Sequence, residues 1–186
     1  MAAGHAAFEI VHPFMDGNGR TGRVLNFAIL CRNDLLAKPI LYMSEHLIEN
    51  RREYYRQLRR LSEGRGTWDQ WLILMFDCVK ESSISARGMI SDISTLYDST
   101  CRNCQGRPYC SKELMDLVFS KVYCRIDDLE RAGICERNTA SKYLKAMTAD
   151  RILDCEKVGR TLIFKNLRLM DILSRRGDVF ISYQPD

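Results

Sequence analysis

The stretch His12-Pro-Phe-Met-Asp-Gly-Asn-Gly-Arg-Thr-Gly-Arg23 decides how the first part of the chain is organised. Residues 1–11 are helix-prone, and Pro13 ends that helix because proline disfavours helical geometry in the residue before it. A glycine-rich turn follows, and residues 20–32 carry apolar side chains at the spacing of a helix that buries one face. The stretch therefore predicts a helix, a tight turn and a second helix.

The turn has the composition of an anion-binding site. Gly17 and Gly19 flank Asn18, so the backbone can approach a ligand closely with its amides pointing inward. The helix that follows adds free N–H groups and the positive end of its dipole. Arg20 and Arg23 are three residues apart and share one face of its first turn. Together these features predict a site for several phosphate oxygens.

Two further side chains give this site a chemistry. Asp16 lies at its mouth, where a carboxylate would repel phosphate unless a cation lay between them, and Mg²⁺ is commonly held by one or two carboxylates plus substrate phosphates. An imidazole can take up a proton near neutral pH, so His12 could accept one from an incoming hydroxyl. This combination is typical of phosphoryl or nucleotidyl transfer.

The sequence around the motif predicts more helices and no strand before residue 110. Ser44 is a plausible N-cap for a helix that runs to about Glu63. Thr67 and Gln70 have capping-box spacing and open a long apolar helix. Residues 101–110 contain glycine and proline and read as a linker or a helix-ending loop.

The pattern changes after the predicted linker. Helical stretches near 112–121, 127–132 and 138–148 precede strand-like runs at 151–156 and 161–164, and a last helix is expected near 167–175. Three helices, a hairpin and a helix suggest a winged helix-turn-helix over residues 111–180. The predicted fold class is mainly α, with an all-helical domain at 1–100, a linker at 101–110 and the small winged-helix domain.

Composition limits the classes of function. Among 186 residues, 28 Lys and Arg face 24 Asp and Glu, a balance that does not demand a polyanionic partner. The longest apolar run, 71–76, is far too short to span a bilayer, and residues 1–11 do not read as a signal peptide. Eight cysteines are then most consistent with reduced thiols in a cytoplasmic protein.

The motif HPFMDGNGRTGR resembles the active-site motif of the Fic family at every signature position. The similarity extends to Phe8-Glu9, to 41–44, to 50–55, to 68–71 and to the predicted winged helix. A twelve-residue match is far more specific than a lone Gly-x-Gly. Phe14, in this resemblance, is expected to be an anchor packed in the core.

The resemblance implies a protein adenylyltransferase that moves AMP from ATP, with Mg²⁺, to a Ser, Thr or Tyr hydroxyl of a target protein. It implies His12 as the base, Asp16 as the metal ligand, and nucleotide contacts from Gly17, Asn18, Gly19, Arg20, Thr21, Gly22 and Arg23. Arg20 would hold the α/β-phosphate region and Arg23 the γ-phosphate. By a looser mapping, the residues lining the adenine side are Tyr42, Glu49, Asn50 and Tyr54.

The family normally has several helices and a β-hairpin flap before the motif, whereas eleven residues precede His12 here. We therefore expect a fragment of a longer gene, a false start or a degenerate locus. A helical core that lacks a part would expose apolar surface and favour association, including a homodimer.

Other interpretations stay open. The chain could be an inactive docking or DNA-binding regulator, with Arg137, Asn138, Ser141, Lys142 and Lys145 facing DNA. The donor could carry another group, since relatives with similar motifs transfer UMP, phosphocholine or phosphate. Cys101, Cys104 and Cys110 could bind zinc, although a fourth ligand is not evident and free thiols are favoured. We interpret His5 as a hydrogen-bonded packing residue and His46 as solvent-facing.

Overall fold

The computed structural model describes residues 1–174, which fall into two compact units. The first is Met1–Gly88 and the second begins at Met89. In the first unit the helices are α1 (Ala2–Val11), α2 (Asn18–Arg32), α3 (Met43–Glu49), α4 (Arg51–Ser62) and the beginning of α5 (Trp68–Asn103). The mainly helical fold class is confirmed, as is the helix–turn–helix around the motif.

The core of the first unit forms around a fully buried tryptophan. Trp71 packs with Met75 and Cys78 of α5, and all three are completely buried. Its indole N–H donates to the carbonyl of Ala2 at 2.9 Å, which ties α5 to the beginning of α1. Burying a large aromatic with its polar group satisfied is the ordinary way to anchor such a core.

One predicted helix of the first unit is divided in the structure, and another begins where the sequence predicts. The helix expected over 44–63 is broken at Asn50, whose side-chain amide donates to the carbonyl of His46 at 3.0 Å. Asparagine bonding of this kind competes with the helical ladder, so α3 ends and α4 begins anew. The start of α5 follows the prediction, since the Thr67 hydroxyl accepts from the amide of Gln70 at 3.4 Å.

The second unit combines helices with a small sheet. After the end of α5 its elements are α6 (Lys112–Ser120), β1 (Tyr123–Cys124), α7 (Ile126–Arg131), α8 (Arg137–Ala149), β2 (Asp154–Val158), β3 (Thr161–Lys165) and α9 (Leu167–Ser174). The strands are antiparallel in the order β1-β3-β2, and Phe164 pairs with both Cys124 and Cys155. The predicted hairpin is present, while β1 is too short to leave a signal in the sequence.

A compact apolar core holds the second unit together. Leu114 and Val118 of α6, Leu144 and Met147 of α8, and Phe164 of β3 are buried to 1% exposure or less. The predicted hairpin therefore contributes its central aromatic residue to the same core as the helices. Positions 175–180 of the domain expected at 111–180 lie outside the described residues, as does the last position of the helix expected near 167–175.

The segment 101–110, expected to be a linker or a helix-ending loop, contains the end of α5 and packs into the second unit. Residues 101–103 are the last turn of α5, and the side chains of Cys104 and Tyr109 are buried. The Tyr109 hydroxyl donates to Asp150, and Arg107 pairs with the same carboxylate at 2.9 Å. Over residues 1–174, none of the helices combines the length and apolar character needed to cross a bilayer.

Candidate functional site

The end of α1 presents the histidine of the motif to solvent. His12 is the C-cap residue, in the left-handed conformation with φ 48° and ψ 57°, and its amide donates to the carbonyl of Phe8 at 3.0 Å. Its Nδ1 lies 3.4 Å from the carbonyl oxygen of Glu9. Because a carbonyl only accepts, this contact favours the tautomer with the proton on Nδ1. The lone pair is then on the exposed Nε2, as a general base requires.

The turn after His12 is closed by the side chain of Asn18. Its Nδ2 donates to the Phe14 carbonyl at 2.6 Å and its Oδ1 accepts from the Phe14 amide at 2.9 Å. Asn18 is 2% exposed, so this pair of hydrogen bonds is protected from water. Because both polar groups of the side chain are hydrogen-bonded within the turn, Asn18 can contact a ligand through its backbone amide.

The expectation for Phe14 was wrong. The ring is 51% exposed, and it contacts Phe8 at a centroid distance of 6.1 Å rather than entering the core. The reason is the double hydrogen bond from Asn18, which fixes the Phe14 backbone in the turn and away from the packed residues of the unit.

The backbone N–H groups in the first turn of α2 have no side chain that caps them. The N-cap of the helix is Gly17, with φ 83°. The first turn also lacks an acidic residue and instead contains Arg20. Uncapped N–H groups and the helix dipole both favour an anion there, whereas a cation is disfavoured. A bound anion would satisfy the amides and remove the repulsion on Arg20.

Both arginines of the motif fold back toward the glycine turn. A Cβ atom on Gly17 would lie 3.6 Å from Nη2 of Arg20, and one on Gly19 would lie 3.4 Å from Nη1 of Arg23. The guanidinium groups therefore lie beside the backbone whose amides are uncapped. Arg23 has no carboxylate within ion-pair distance in the described part of the chain, so its charge is available to a ligand.

Asp16 is a carboxylate at the mouth of this turn. Its Oδ1 accepts from the Gly17 amide at 2.6 Å, and its Oδ2 lies 3.2 Å from Nη2 of Arg20. The ion pair is solvent-exposed, with 92% of the Asp16 side chain accessible, and such pairs contribute little stability. It can therefore be exchanged for other partners at small cost.

Asp16 fits the requirements of Mg²⁺ rather than those of an all-protein metal site. Within residues 1–174 no three His, Cys, Asp or Glu side chains are grouped so that they could hold a metal ion. Magnesium is commonly bound through one or two carboxylates plus substrate phosphates and water. An exposed carboxylate next to a turn with uncapped amides matches that donor set.

Thr21 and Gly22 of the motif make structural contacts within the protein. The Thr21 hydroxyl donates to the Gly17 carbonyl at 3.0 Å, which reinforces the first turn of α2. Gly22 is buried, and a Cβ there would lie 2.2 Å from Oε1 of Glu9, which would have to move. Gly22 thus permits the close approach of α1 and α2.

Behind the turn, His5 forms a buried polar cluster. Its Nδ1 lies 3.1 Å from the Gly22 carbonyl and its Nε2 lies 3.0 Å from the Tyr54 hydroxyl. Its ring stacks on Trp71 at 6.2 Å with an interplanar angle of 9°. Burial is the main cause that lowers the His5 pKa, with a smaller repulsion from Arg23. The interpretation of His5 as a packing residue is confirmed.

Glu9 is half-buried beside this cluster. Desolvation raises the pKa of its carboxyl, opposed by the positive charges of His12 and Arg23. Its Oε1 is buried and has no hydrogen-bond partner among the described residues. Sequence reasoning gave Glu9 no individual role, and only its position before the motif could have indicated one.

Two of the four residues expected on the adenine side lie near Arg23. Tyr42 is half-buried, and its pKa is raised by burial and by Glu45 and lowered by Arg23. The pKa of Tyr54 is raised chiefly by burial, and Arg23 again opposes the shift. Tyr54 is only 9% exposed and uses its hydroxyl on His5, so the structure places it in the core wall behind the turn.

Glu49 and Asn50, the other two residues expected on the adenine side, lie at the junction of α3 and α4. Glu49 is exposed, with its carboxylate 3.9 Å from Nδ1 of His46. The amide of Asn50 bonds both the carbonyl and Nε2 of His46, at 3.0 and 3.2 Å. The prediction that His46 faces solvent was wrong, because these contacts leave its side chain 20% exposed.

The candidate DNA-contacting helix, α8, begins with an arginine that forms ion pairs with two carboxylates. Arg137 contacts Asp127 at 2.5 Å and Glu130 at 3.4 Å. The exposed Asn138, Lys142 and Lys145 make up the rest of the expected face together with the half-buried Ser141.

The three cysteines considered for zinc differ in environment. Cys104 is fully buried, Cys101 is half-buried and Cys110 is exposed. Burial is the largest cause of the raised pKa of the Cys104 thiol. This environment disfavours the thiolate that zinc requires.

Comparisons with known proteins agree with the motif. Residues 1–30 match the Fic/DOC family, and residues 96–169 match the C-terminal domain of SoFic-like protein adenylyltransferases. A probable protein adenylyltransferase of Aquifex aeolicus is 45% identical over 60 residues, which are 32% of this chain. The matched segment spans 16% of the length of that relative.

Proposed function

Because this chain belongs to the Fic/DOC family, we propose that it is a protein adenylyltransferase that transfers AMP from ATP to a hydroxyl side chain of a target protein. The observation that carries the proposal is the uncapped start of α2, against which two guanidinium groups fold back. A triphosphate is the ligand that uses all of these groups together.

The phosphate chain would be held by backbone and side chains in combination. The amides of Asn18 and Gly19 would donate to phosphate oxygens, and the Gly17 amide would do so once Oδ1 of Asp16 releases it. Arg20 and Arg23 would supply two positive charges. Asn18 contributes indirectly as well, because its clamp on Phe14 fixes the turn before the ligand arrives. Preorganised donors of this kind stabilise the charge that develops on phosphate in the transition state.

Asp16 would hold Mg²⁺ by exchanging its ion pair with Arg20. The ion, when bound, supplies neutralisation of the negative charge shared between phosphate groups. The same exchange frees the Arg20 guanidinium for the nucleotide, so the two residues change partners together. The weak, exposed pair seen between them is compatible with this exchange.

His12 would act as the general base. Its Nε2 takes the proton from the target hydroxyl as that oxygen forms a bond to the α-phosphorus. The bond between the α-phosphorus and the oxygen bridging to the β-phosphate breaks, and pyrophosphate leaves. The Glu9 carbonyl, near Nδ1, holds the imidazole in the required tautomer.

The adenine would lie on the side of Tyr42, with Glu49, Asn50 and Tyr54 as the more remote wall. Tyr42 supports this placement best, because it lies within electrostatic reach of Arg23. We propose a cytoplasmic location as well, since all eight cysteines are free.

The second unit is proposed to be a winged helix-turn-helix that serves docking or homodimerisation rather than DNA binding. Asp127 and Glu130, which contact Arg137, support this choice because their carboxylates would repel a phosphate backbone at the start of α8. A mobility-shift assay over several salt concentrations distinguishes the two. DNA binding with a steep salt slope would favour the alternative of an inactive chain that acts as a DNA-binding regulator.

The transfer itself is tested with ATP labelled either at the α-phosphate or at the γ-phosphate. The chain is incubated with Mg²⁺ and a mixture of candidate target proteins, and protein-bound label is measured. The proposal predicts label from α-labelled ATP and none from γ-labelled ATP. Label from γ-labelled ATP would instead identify phosphoryl transfer, and label from neither would contradict transferase activity of this chain.

A further inference from the structure

The second unit contains a cavity of about 350 Å³ that the proposed activity does not use. It lies among the C-terminal end of α5, the turn after α8 and the beginning of α9. This volume is at the small end of the range of ligand pockets, which begins at roughly 300 Å³. The cavity is therefore large enough for a compact ligand.

The lining of this cavity is cationic. It includes Arg107, Arg151 and Arg168, with Asp150 as its one acidic residue. The Asp150 carboxylate is already engaged by Arg107 and by the Tyr109 hydroxyl. In the described part of the chain, Arg151 and Arg168 have neither an ion pair nor a side-chain hydrogen bond, so two guanidinium charges remain uncompensated.

Arg151 occupies a position where glycine is usual. Its φ is 58°, its amide donates to the Thr148 carbonyl at 3.0 Å, and the Ile152 amide donates to the Met147 carbonyl at 2.9 Å. These are the two bonds of a Schellman motif, whose left-handed residue is most often glycine. An arginine here is conformationally unfavourable, and the unfavourable backbone places its side chain at the cavity.

A buried amide also lines the cavity. Asn166 is 3% exposed, and its Oδ1 accepts from the Leu169 amide at 3.1 Å at the start of α9. Its Nδ2 has no acceptor among residues 1–174. The protein does not enclose this Nδ2 fully, so it can donate to a ligand in the cavity.

We propose that the cavity binds a small phosphate-bearing ligand. Arg151 and Arg168 would supply the charge, and Nδ2 of Asn166 would donate to a further oxygen. Two guanidinium groups and an amide offer more N–H donors than the carboxylate of a ligand could accept. They match the three terminal oxygens of a phosphate monoester better. This site lies within the second unit and is independent of the proposed transferase function.

The test uses the full chain and three probes: inorganic phosphate, pyrophosphate and AMP. Binding is measured by calorimetry at low ionic strength in the parent and in Arg151→Gly and Arg168→Gln. The matched control is Arg160→Gln, which removes the same charge from an exposed position outside the cavity. A second control, Arg20→Gln with Arg23→Gln, removes the charge of the motif turn.

We expect saturable binding of at least one probe, weakened about tenfold in Arg151→Gly and in Arg168→Gln. Arg160→Gln should bind like the parent. The motif double variant should lose only binding at the turn before α2, and it should keep the binding that Arg151→Gly and Arg168→Gln weaken. Arg151→Gly should melt at the same or a higher temperature, because glycine accepts the left-handed conformation without strain, so weaker binding could not be attributed to unfolding. AMP binding more tightly than phosphate would support an ester as the ligand, and equal affinities would support recognition of the phosphate group itself.

Three results would overturn the proposal. The first is the absence of saturable binding by every probe. The second is unchanged affinity in both cavity variants. The third is loss of binding in the motif double variant but not in the cavity variants, which would assign the phosphate to the turn before α2.

Discussion

The two ends of α1 each carry a histidine, and the surroundings of the two are opposite. His5 is fully buried, both of its ring nitrogens have partners, and burial lowers its pKa. His12 is exposed, in a left-handed backbone conformation, with one ring nitrogen near a backbone carbonyl. One short helix thus provides a histidine that stabilises the unit and another that is free for chemistry.

This contrast predicts that stability and the proposed transfer can be changed separately within a few residues of sequence. The buried cluster of His5, Tyr54 and Trp71 fixes where α1 and α2 meet, through the carbonyl of Gly22. The turn beyond it has few internal partners apart from the clamp of Asn18 on Phe14. Substitutions at the two ends should therefore act on different measured quantities.

The largest effect is expected on transfer, at the exposed end. His12→Ala removes the proposed base, and general-base groups typically contribute about 10²–10⁴-fold to the rate. Its thermal stability should stay close to that of the parent because the side chain is exposed. Transfer from α-labelled ATP is measured beside His46→Ala, which changes a histidine outside the motif. Equal rates in His12→Ala and the parent would show that His12 is not the base.

The next effect is expected on folding, at the buried end. His5→Ala leaves the Tyr54 hydroxyl and the Gly22 carbonyl without their partner and opens a cavity beside Trp71. The free energy of unfolding should fall by about 2–4 kcal/mol. Denaturant titrations of His5→Ala, His12→Ala and the parent make the comparison. A loss as large in His12→Ala as in His5→Ala would remove the distinction between the two ends.

A smaller effect is expected on nucleotide affinity. Arg20→Ala should weaken binding of ATP with Mg²⁺ about tenfold, since a charge-assisted contact to phosphate is lost. Its effect on stability should be under about 1 kcal/mol because the Arg20–Asp16 pair is exposed. Calorimetric titration with and without Mg²⁺ measures the affinity, with Arg32→Ala at the far end of α2 as the control. Unchanged affinity would place the phosphates elsewhere.

The smallest effect is a pH dependence of stability. The His5 pKa in the folded chain lies below its ordinary value of 6.5, so the unfolded chain binds more protons as the pH falls below that value. Stability should therefore decrease below about pH 6.5, by at most about 1.4 kcal/mol per pH unit. The raised pKa of Glu9 has the opposite effect, because it makes stability fall as the pH rises above 4.5. Comparing the pH dependence of the parent with that of His5→Gln isolates the contribution of His5. The same slope in parent and variant would contradict the contribution of His5.

The sequence predicted the helices, the hairpin and the location of the turn because these follow from local spacing and from glycine and proline. It could not predict the break at Asn50 or the two-residue strand β1, which depend on single side-chain contacts and on pairing with β3. In the site, the glycines and arginines were recognisable from the motif. The clamp by Asn18 and the exposure of Phe14 were not, because they depend on specific side-chain-to-backbone hydrogen bonds within the turn. The burial of Tyr54 was not, because it depends on a tertiary contact with His5.

The central claim is that a triphosphate binds at the start of α2, and the backbone amides there test it most directly. In a nuclear magnetic resonance titration of the full chain with ATP and Mg²⁺, we expect the largest shift changes at the amides of Gly17, Asn18, Gly19 and Arg20. These changes should persist in His12→Ala, which lacks the base but keeps the binding groups. If saturating nucleotide left the shifts of these four amides unchanged, the triphosphate would not bind at the start of α2.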